Sequence, residues 1–141
     1  MSISSGDDFG AFQIRVAEDT LFLCPDGPLD LALAHFITQQ AQQVKNRHDH
    51  YFLLVDLRSA GTIHPEARRV LVKFGAGSPP LAIASYGAGI LARGFNALLN
   101  GAMNILGAQP QNWMQFSRKE EAQAWLEKER RRLIQKAVDS D

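Results

Sequence analysis

Apolar and polar positions change period along this chain, and each change marks a new element. Residues 11–17 (AFQIRVA) alternate apolar and polar side chains, the period of a half-exposed strand. Residues 20–24 (TLFLC) predict a second strand, with Glu18 and Asp19 as the tight turn between them. Asp26, Gly27 and Pro28 stop that strand and open a helix, in which Leu29, Leu33, Phe36, Ile37, Ala41 and Val44 recur at helical spacing. A polar loop at 46–50 (NRHDH) leads into residues 51–55 (YFLLV). That apolar run is too short for a globular helix and suits the middle of a sheet. A polar loop follows. Pro65 and Glu66 then start a helix to Phe74, with Val70, Leu71 and Phe74 inward.

The second half repeats this strand–helix pattern. Residues 75–80 (GAGSPP) read as a turn and 81–86 as a strand. Gly87 and Gly89 precede a long helix over 88–106, and 112–116 (NWMQF) form a short strand near a sheet edge. Ser117 and Glu120 suggest a capping box for a last helix from Arg118 to about Val138, docked by Ala122, Trp125, Leu126, Leu133 and Ile134. The order is β-β-α-β-α-β-α-β-α. It predicts an α/β fold with a mostly parallel five-stranded sheet, opened by a β-hairpin and carrying four helices. The chain reads as one domain, with residues 1–9 as a flexible tail.

Composition narrows the function classes. Of the 141 residues, 45% are apolar and 21% charged, and the formal net charge is zero, so nucleic-acid binding is not implied. One cysteine, Cys24, allows no intramolecular disulfide and fits a reducing compartment. The first ten residues have neither the basic head nor the apolar run of a signal peptide, and no stretch is apolar enough for a membrane span. A cytoplasmic location is the expectation. The even total hides an asymmetry, because residues 67–119 hold six bases (Arg68, Arg69, Lys73, Arg93, Arg118, Lys119) and no acid. This is either a set of solvated helix faces or an anion-facing surface.

Ligands and partners of open α/β sheets meet the carboxyl ends of strands. The loop after residue 55 is therefore the first candidate site, with Asp56, Arg58, Ser59, Thr62, His64 and Glu66. An Asp, a Ser and a His so close together invite a hydrolase reading, but no GxSxG elbow or oxyanion turn accompanies them. Asp56 and Thr62 are expected to bond loop N–H groups, and His64 or Thr62 to cap the helix. No catalytic set stands out. The second candidate, GxGxxA at 87–92, opens a helix where an anion can approach, with Tyr86, Gly87, Gly89 and Arg93 as its residues. The acid that holds a ribose in dinucleotide sites is absent from the following stretch. The predicted helix carries a polar stripe of Arg93, Asn96, Asn100 and Asn104, either a thin polar edge or a recognition face. His48 and His50 flank Asp49 and His35 lies in the first helix, which makes no zinc set, and no metal or other cofactor is expected.

The element order together with LLVDLRSAGTIHPEARRVL, the GxG turn and the closing FSRKEEAQAWLEKE resembles the STAS domain, the fold of anti-sigma-factor antagonists such as SpoIIAA and of sulfate-transporter tails. The closing Ala-x-x-x-Trp-Leu pattern looks most like an uncharacterised SpoIIAA-like branch of bacterial proteins. That family has Asp-Leu at a strand end and then Ile-Asp-Ser-Ser-Gly at the helix start. Asp56, Leu57 and Ile63 fit, while His64, Pro65, Glu66 and Ala67 take the last four positions. The phosphorylated serine of the antagonists falls at Glu66, so the resemblance implies no kinase switch there. It implies a non-catalytic regulatory module with a protein partner, a homodimer being one arrangement. The alternative it leaves is a binder of a small anionic or amphipathic ligand, a nucleotide or a lipid.

Overall fold

The computed structural model describes residues 12–87 and 113–139. Among them the elements run β1 (Gln13–Ala17), β2 (Thr20–Cys24), β3 (Asp26–Leu29), α1 (Leu31–His48), β4 (Phe52–Asp56), β5 (Ser59–Ile63), α2 (Pro65–Gly77), β6 (Ala82–Tyr86), β7 (Trp113–Phe116) and α3 (Lys119–Asp139). The helix expected at 88–106 lies outside the described residues. β1 and β2 form the expected hairpin, closed at Ala17 and Thr20. β2, β4, β6 and β7 are parallel neighbours, so the main sheet has the order β1-β2-β4-β6-β7 with β7 at an edge. This is the mostly parallel, hairpin-opened sheet that the periodicity predicts.

Strand alternation sends side chains to two cores. Ile14, Leu21, Leu23, Val55 and Ile83 face one side, where α1 brings Leu33, Ile37, Ala41 and Val44, and Val70, Leu71 and Phe74 of α2 pack against them. Phe52, Leu54, Ala82, Ala84 and Tyr86 face the other side, under Ala122 and Leu126 of α3, with Trp125, Leu133 and Ile134 at the margin. Every residue of β6 is buried, as a central parallel strand requires.

Four boundaries differ from the sequence pattern. Asp26, Gly27 and Pro28 form β3 instead of opening the helix, so Leu29 belongs to a strand. Asp30 is the helix cap, its carboxylate accepting from the Leu33 N–H at 3.0 Å. The stretch after Asp56 is not all loop, because β5 pairs in parallel with β3 as a separate two-stranded sheet. α1 also runs through the expected loop to His48 and ends at a left-handed Asp49.

α2 likewise continues through Gly75 and Gly77 to a cap at Ser78. Side chains from outside the helix hold that end. Lys45 Nζ donates to Ser78 Oγ at 3.1 Å, and the Tyr51 hydroxyl donates to the Ser78 carbonyl at 2.5 Å. Local propensity favours a turn there, and these tertiary bonds override it. No helix among the described residues is long and apolar enough to cross a membrane.

Candidate functional site

Parallel register brings the last residues of three strands into one row. Leu23 pairs with Val55, Asp56 with Tyr86, and Tyr86 with Phe116, so Cys24, Asp56 and Tyr86 close the carboxyl edge of the sheet. Beyond that edge the chain turns sharply. The Leu57 N–H still donates to the Tyr86 carbonyl, and the Ala60 N–H donates to the Leu57 carbonyl, which turns the chain into β5.

Asp56 organises this turn. It is only 8% exposed, yet its carboxylate accepts the Arg58 N–H at 3.0 Å, Arg58 Nε at 3.0 and 3.1 Å and Arg58 Nη2 at 2.6 Å. Burial pushes the Asp56 pKa up, but the bonds and charge of Arg58 outweigh it and hold the carboxyl below its ordinary value. The carboxylate is thus spent on its neighbour and poorly suited to proton transfer. The expectation that Asp56 bonds a loop N–H is met, and its main partner is the side chain two residues on.

Arg58 also lies 5.7 Å from the Tyr86 ring centroid. This accounts for Gly87. A side chain there would run into the Arg58 methylenes, and φ is +74°, where glycine is favoured. The Gly87 N–H donates to the Phe116 carbonyl at 3.3 Å. Gly87 therefore serves the packing of Arg58 and the β6–β7 edge, and its N–H is not free for an anion. Gly89, Arg93 and the asparagine stripe lie outside the described residues.

Tyr86 is 2% exposed, and its hydroxyl makes no hydrogen bond of ordinary geometry among the described residues. Burial first and the nearby Asp56 charge second push its pKa up. The same two causes, in the same order, raise Cys24, so it stays a thiol. Sequence reading named Asp56, Arg58, Tyr86 and Gly87 but placed them in two separate sites. The structure joins them in one, with Cys24 beside them.

The remaining candidates sit on the outer side of the turn. Ser59 and Thr62 are exposed on β5, and His64 and Glu66 are exposed at the start of α2. His64 occupies the cap position without a side-chain cap bond, so the expected His64 cap is not made; Pro65 and Glu66 instead supply the start signals. The His64 N–H donates to the Leu29 carbonyl at 3.0 Å, which ties α2 to β3. Arg68, Arg69 and Lys73 follow on the same helix, all exposed and without an ion pair among the described residues. Half of the bases in the acid-free segment thus share one helix.

A second polar cluster escaped the sequence reading. Asp19, 2% exposed, accepts Arg130 Nε at 2.9 and 3.1 Å and meets His50 Nε2 at 2.8 Å. Arg130 reaches Glu18 as well, at 3.2 Å. The cluster clasps the hairpin turn, the approach to β4 and α3 at the amino ends of the parallel strands, opposite the candidate site. His50 and Arg130 are 31 and 111 residues from Asp19, which no local motif reveals.

No family model and no curated protein matches this chain. Solved structures do. A crystallised, uncharacterized protein of the DUF3478 family from Shewanella loihica PV-4, described as having a SpoIIAA-like fold, is similar with a TM-score of 0.59 and 19% identity over 82% of this chain and 92% of that one. The anti-sigma factor antagonist SpoIIAA in its unphosphorylated form is similar with a TM-score of 0.51 and 13% identity over 79% of this chain and 94% of that one. Likeness at these identities is likeness of fold, and the fold of this chain is SpoIIAA-like, that of a STAS domain.

Proposed function

We propose that this protein is a non-catalytic regulatory module that binds a protein partner through β5 and the exposed face of α2. One observation carries the reading. The buried carboxylate at the strand end is locked by Arg58, so it shapes the surface, while the polar side chains outside it make no hydrogen bond or ion pair among the described residues. Ser59, Thr62, His64 and Glu66 form one part of that surface and Arg68, Arg69 and Lys73 the other. Three cations on one helix, without an ion pair among the described residues, suit an acidic partner surface and favour fast, salt-sensitive association. The SpoIIAA-like fold supports the reading, since one protein that shares it is named an antagonist of an anti-sigma factor. Glu66, an acidic residue, stands where the family resemblance puts a phosphorylated serine, so binding here does not wait on a phosphate at that position.

Affinity capture from the native host tests this. The wild-type protein should retain a partner that the R68E/R69E/K73E variant loses by at least about tenfold, the scale of a few disrupted charge contacts. D56A/R58A should lose the same partner while keeping its far-UV circular dichroism. Retention of every specific partner by both variants would place the surface elsewhere.

A second reading, a small anionic or amphipathic ligand such as a nucleotide or lipid, is favoured by the Tyr86 hydroxyl, buried beside Asp56 and without a hydrogen bond of ordinary geometry among the described residues. Native mass spectrometry of the purified protein should then show a co-purified species that Tyr86→Phe releases. An unliganded mass, with no thermal shift across nucleotides and lipids, would remove this reading.

A further inference from the structure

The Asp56 carboxylate has one donor residue in use and another in reserve. Oδ1 accepts the Arg58 N–H and Nε, and Oδ2 accepts Nε and Nη2. The register that pairs Asp56 with Tyr86 brings the Tyr86 side chain to the same end of the same sheet face. Burial raises the Asp56 pKa, Arg58 lowers it, and the Tyr86 hydroxyl adds a smaller lowering, so hydroxyl and carboxylate feel each other. Yet among the described residues this hydroxyl is the one buried side-chain polar atom without a hydrogen bond of ordinary geometry. A buried donor in that state costs free energy, which a second arrangement with an acceptor recovers.

Arg58 supplies the second arrangement. Its side chain is 68% exposed, against 11% for Asp56, and it runs over Gly87, where no Cβ stands in its way. Its backbone N–H bonds Oδ1 independently of where the guanidinium lies. A guanidinium that exchanges Asp56 for a carboxylate outside the protein keeps its charge paired. The loss falls on the buried Asp56, and a hydroxyl already beside it offsets that loss. Cys24, the other titratable neighbour, is held as a thiol and adds no charge. We propose that Arg58 is a two-position contact: it holds Asp56 in the free protein and turns outward onto a carboxylate of the partner, while the Tyr86 hydroxyl donates to Asp56 in its place. This rests on the acidic-partner reading above and adds Arg58 to the contacts of Arg68, Arg69 and Lys73.

Arg58→Ala imitates the outward position. In ¹³C-labelled full chain followed by NMR, the Asp56 carboxyl should titrate about one pH unit or more higher in R58A/Y86F than in R58A, the worth of one hydrogen bond to a charged group. Tyr86→Phe alone should move that titration much less and should leave Tm unchanged or raise it, since the free protein has no such bond to lose. Equal Asp56 titration in R58A and R58A/Y86F, or a lowered Tm in Tyr86→Phe, would overturn the proposal. The probe for the outward position is a tetraglutamate peptide, titrated into ¹⁵N-labelled full chain. The Arg58 Nε–H signal should move saturably, and Tyr86→Phe should bind the peptide roughly tenfold more weakly. Shifts on Arg68, Arg69 and Lys73 with Arg58 unmoved would overturn the exchange and leave the partner surface standing. Shifts on neither group would overturn both.

Discussion

Asp19→Ala should lower stability by about 3 kcal/mol, the usual cost of removing one partner from a buried ion pair. The substitution leaves Arg130 and His50, whose side chains are 29% and 24% exposed, facing a gap where both had met a carboxylate. It also unfastens α3 from the hairpin turn. Thermal unfolding should show a fall of roughly 10 °C in Tm for a domain of this size. A double-mutant cycle of Asp19→Asn with Arg130→Gln should give a coupling of at least about 1 kcal/mol, because Arg130 bonds both carboxylate oxygens. A Tm change below about 2 °C for Asp19→Ala would show that the cluster is solvated and idle.

The pH dependence has a definite sign. Burial pushes the Asp19 pKa up, but hydrogen bonds from His50 and Arg130, with their charges, outweigh it and the net shift is downward. A carboxyl depressed in the folded state stabilises above its unfolded pKa of about 3.9, and that contribution is lost as pH falls through the lower folded value. Asp56 is depressed in the same direction by Arg58. Acid unfolding of the wild type should therefore steepen below about pH 4, and Asp19→Asn should be flatter there while already less stable at neutral pH.

The contrast between these two aspartates shows what the sequence can disclose. Asp56 follows an apolar run and precedes a loop, so its place at the carboxyl edge of a strand is legible from period alone. Its lock on Arg58 is local but needs the turn that β5 creates. Asp19 looks like an ordinary turn residue, because its partners come from elements far along the chain. The main sheet was legible because Leu21, Leu54, Ile83 and their neighbours follow strand periods. β3 and β5 were not, since DGPL and SAGTI carry the glycine, proline and polar residues of turns and are strands only through each other. Gly87 was legible as a special position. Its cause is the Arg58 side chain lying against it, which is a tertiary fact.

That mutual dependence makes Gly61 the most sensitive position near the candidate site. A Cβ at Gly61 would stand 2.7 Å from the Gly27 carbonyl carbon, 2.8 Å from its oxygen and 3.0 Å from the Pro28 nitrogen. All three are backbone atoms, so no rotamer change relieves the clash, and β5 must part from β3. Gly61→Ala should thus cost about 2 kcal/mol or more, at the upper end of small-to-large substitutions. Gly27→Ala is the control. Its Cβ meets nothing within 4 Å, so only the left-handed φ of +79° opposes it, at about 1–2 kcal/mol. Hydrogen exchange separates a local from a global effect. In Gly61→Ala the His64 amide, which donates to Leu29, should lose protection well before the amides of β4 and β6. Because β5 and the start of α2 move with that bond, partner capture should fall with it, while the cluster around Asp19 keeps the main sheet closed. Full His64 protection and unchanged Tm in Gly61→Ala would mean that the two strands have room to spare, and that the surface they carry is not held by their contact.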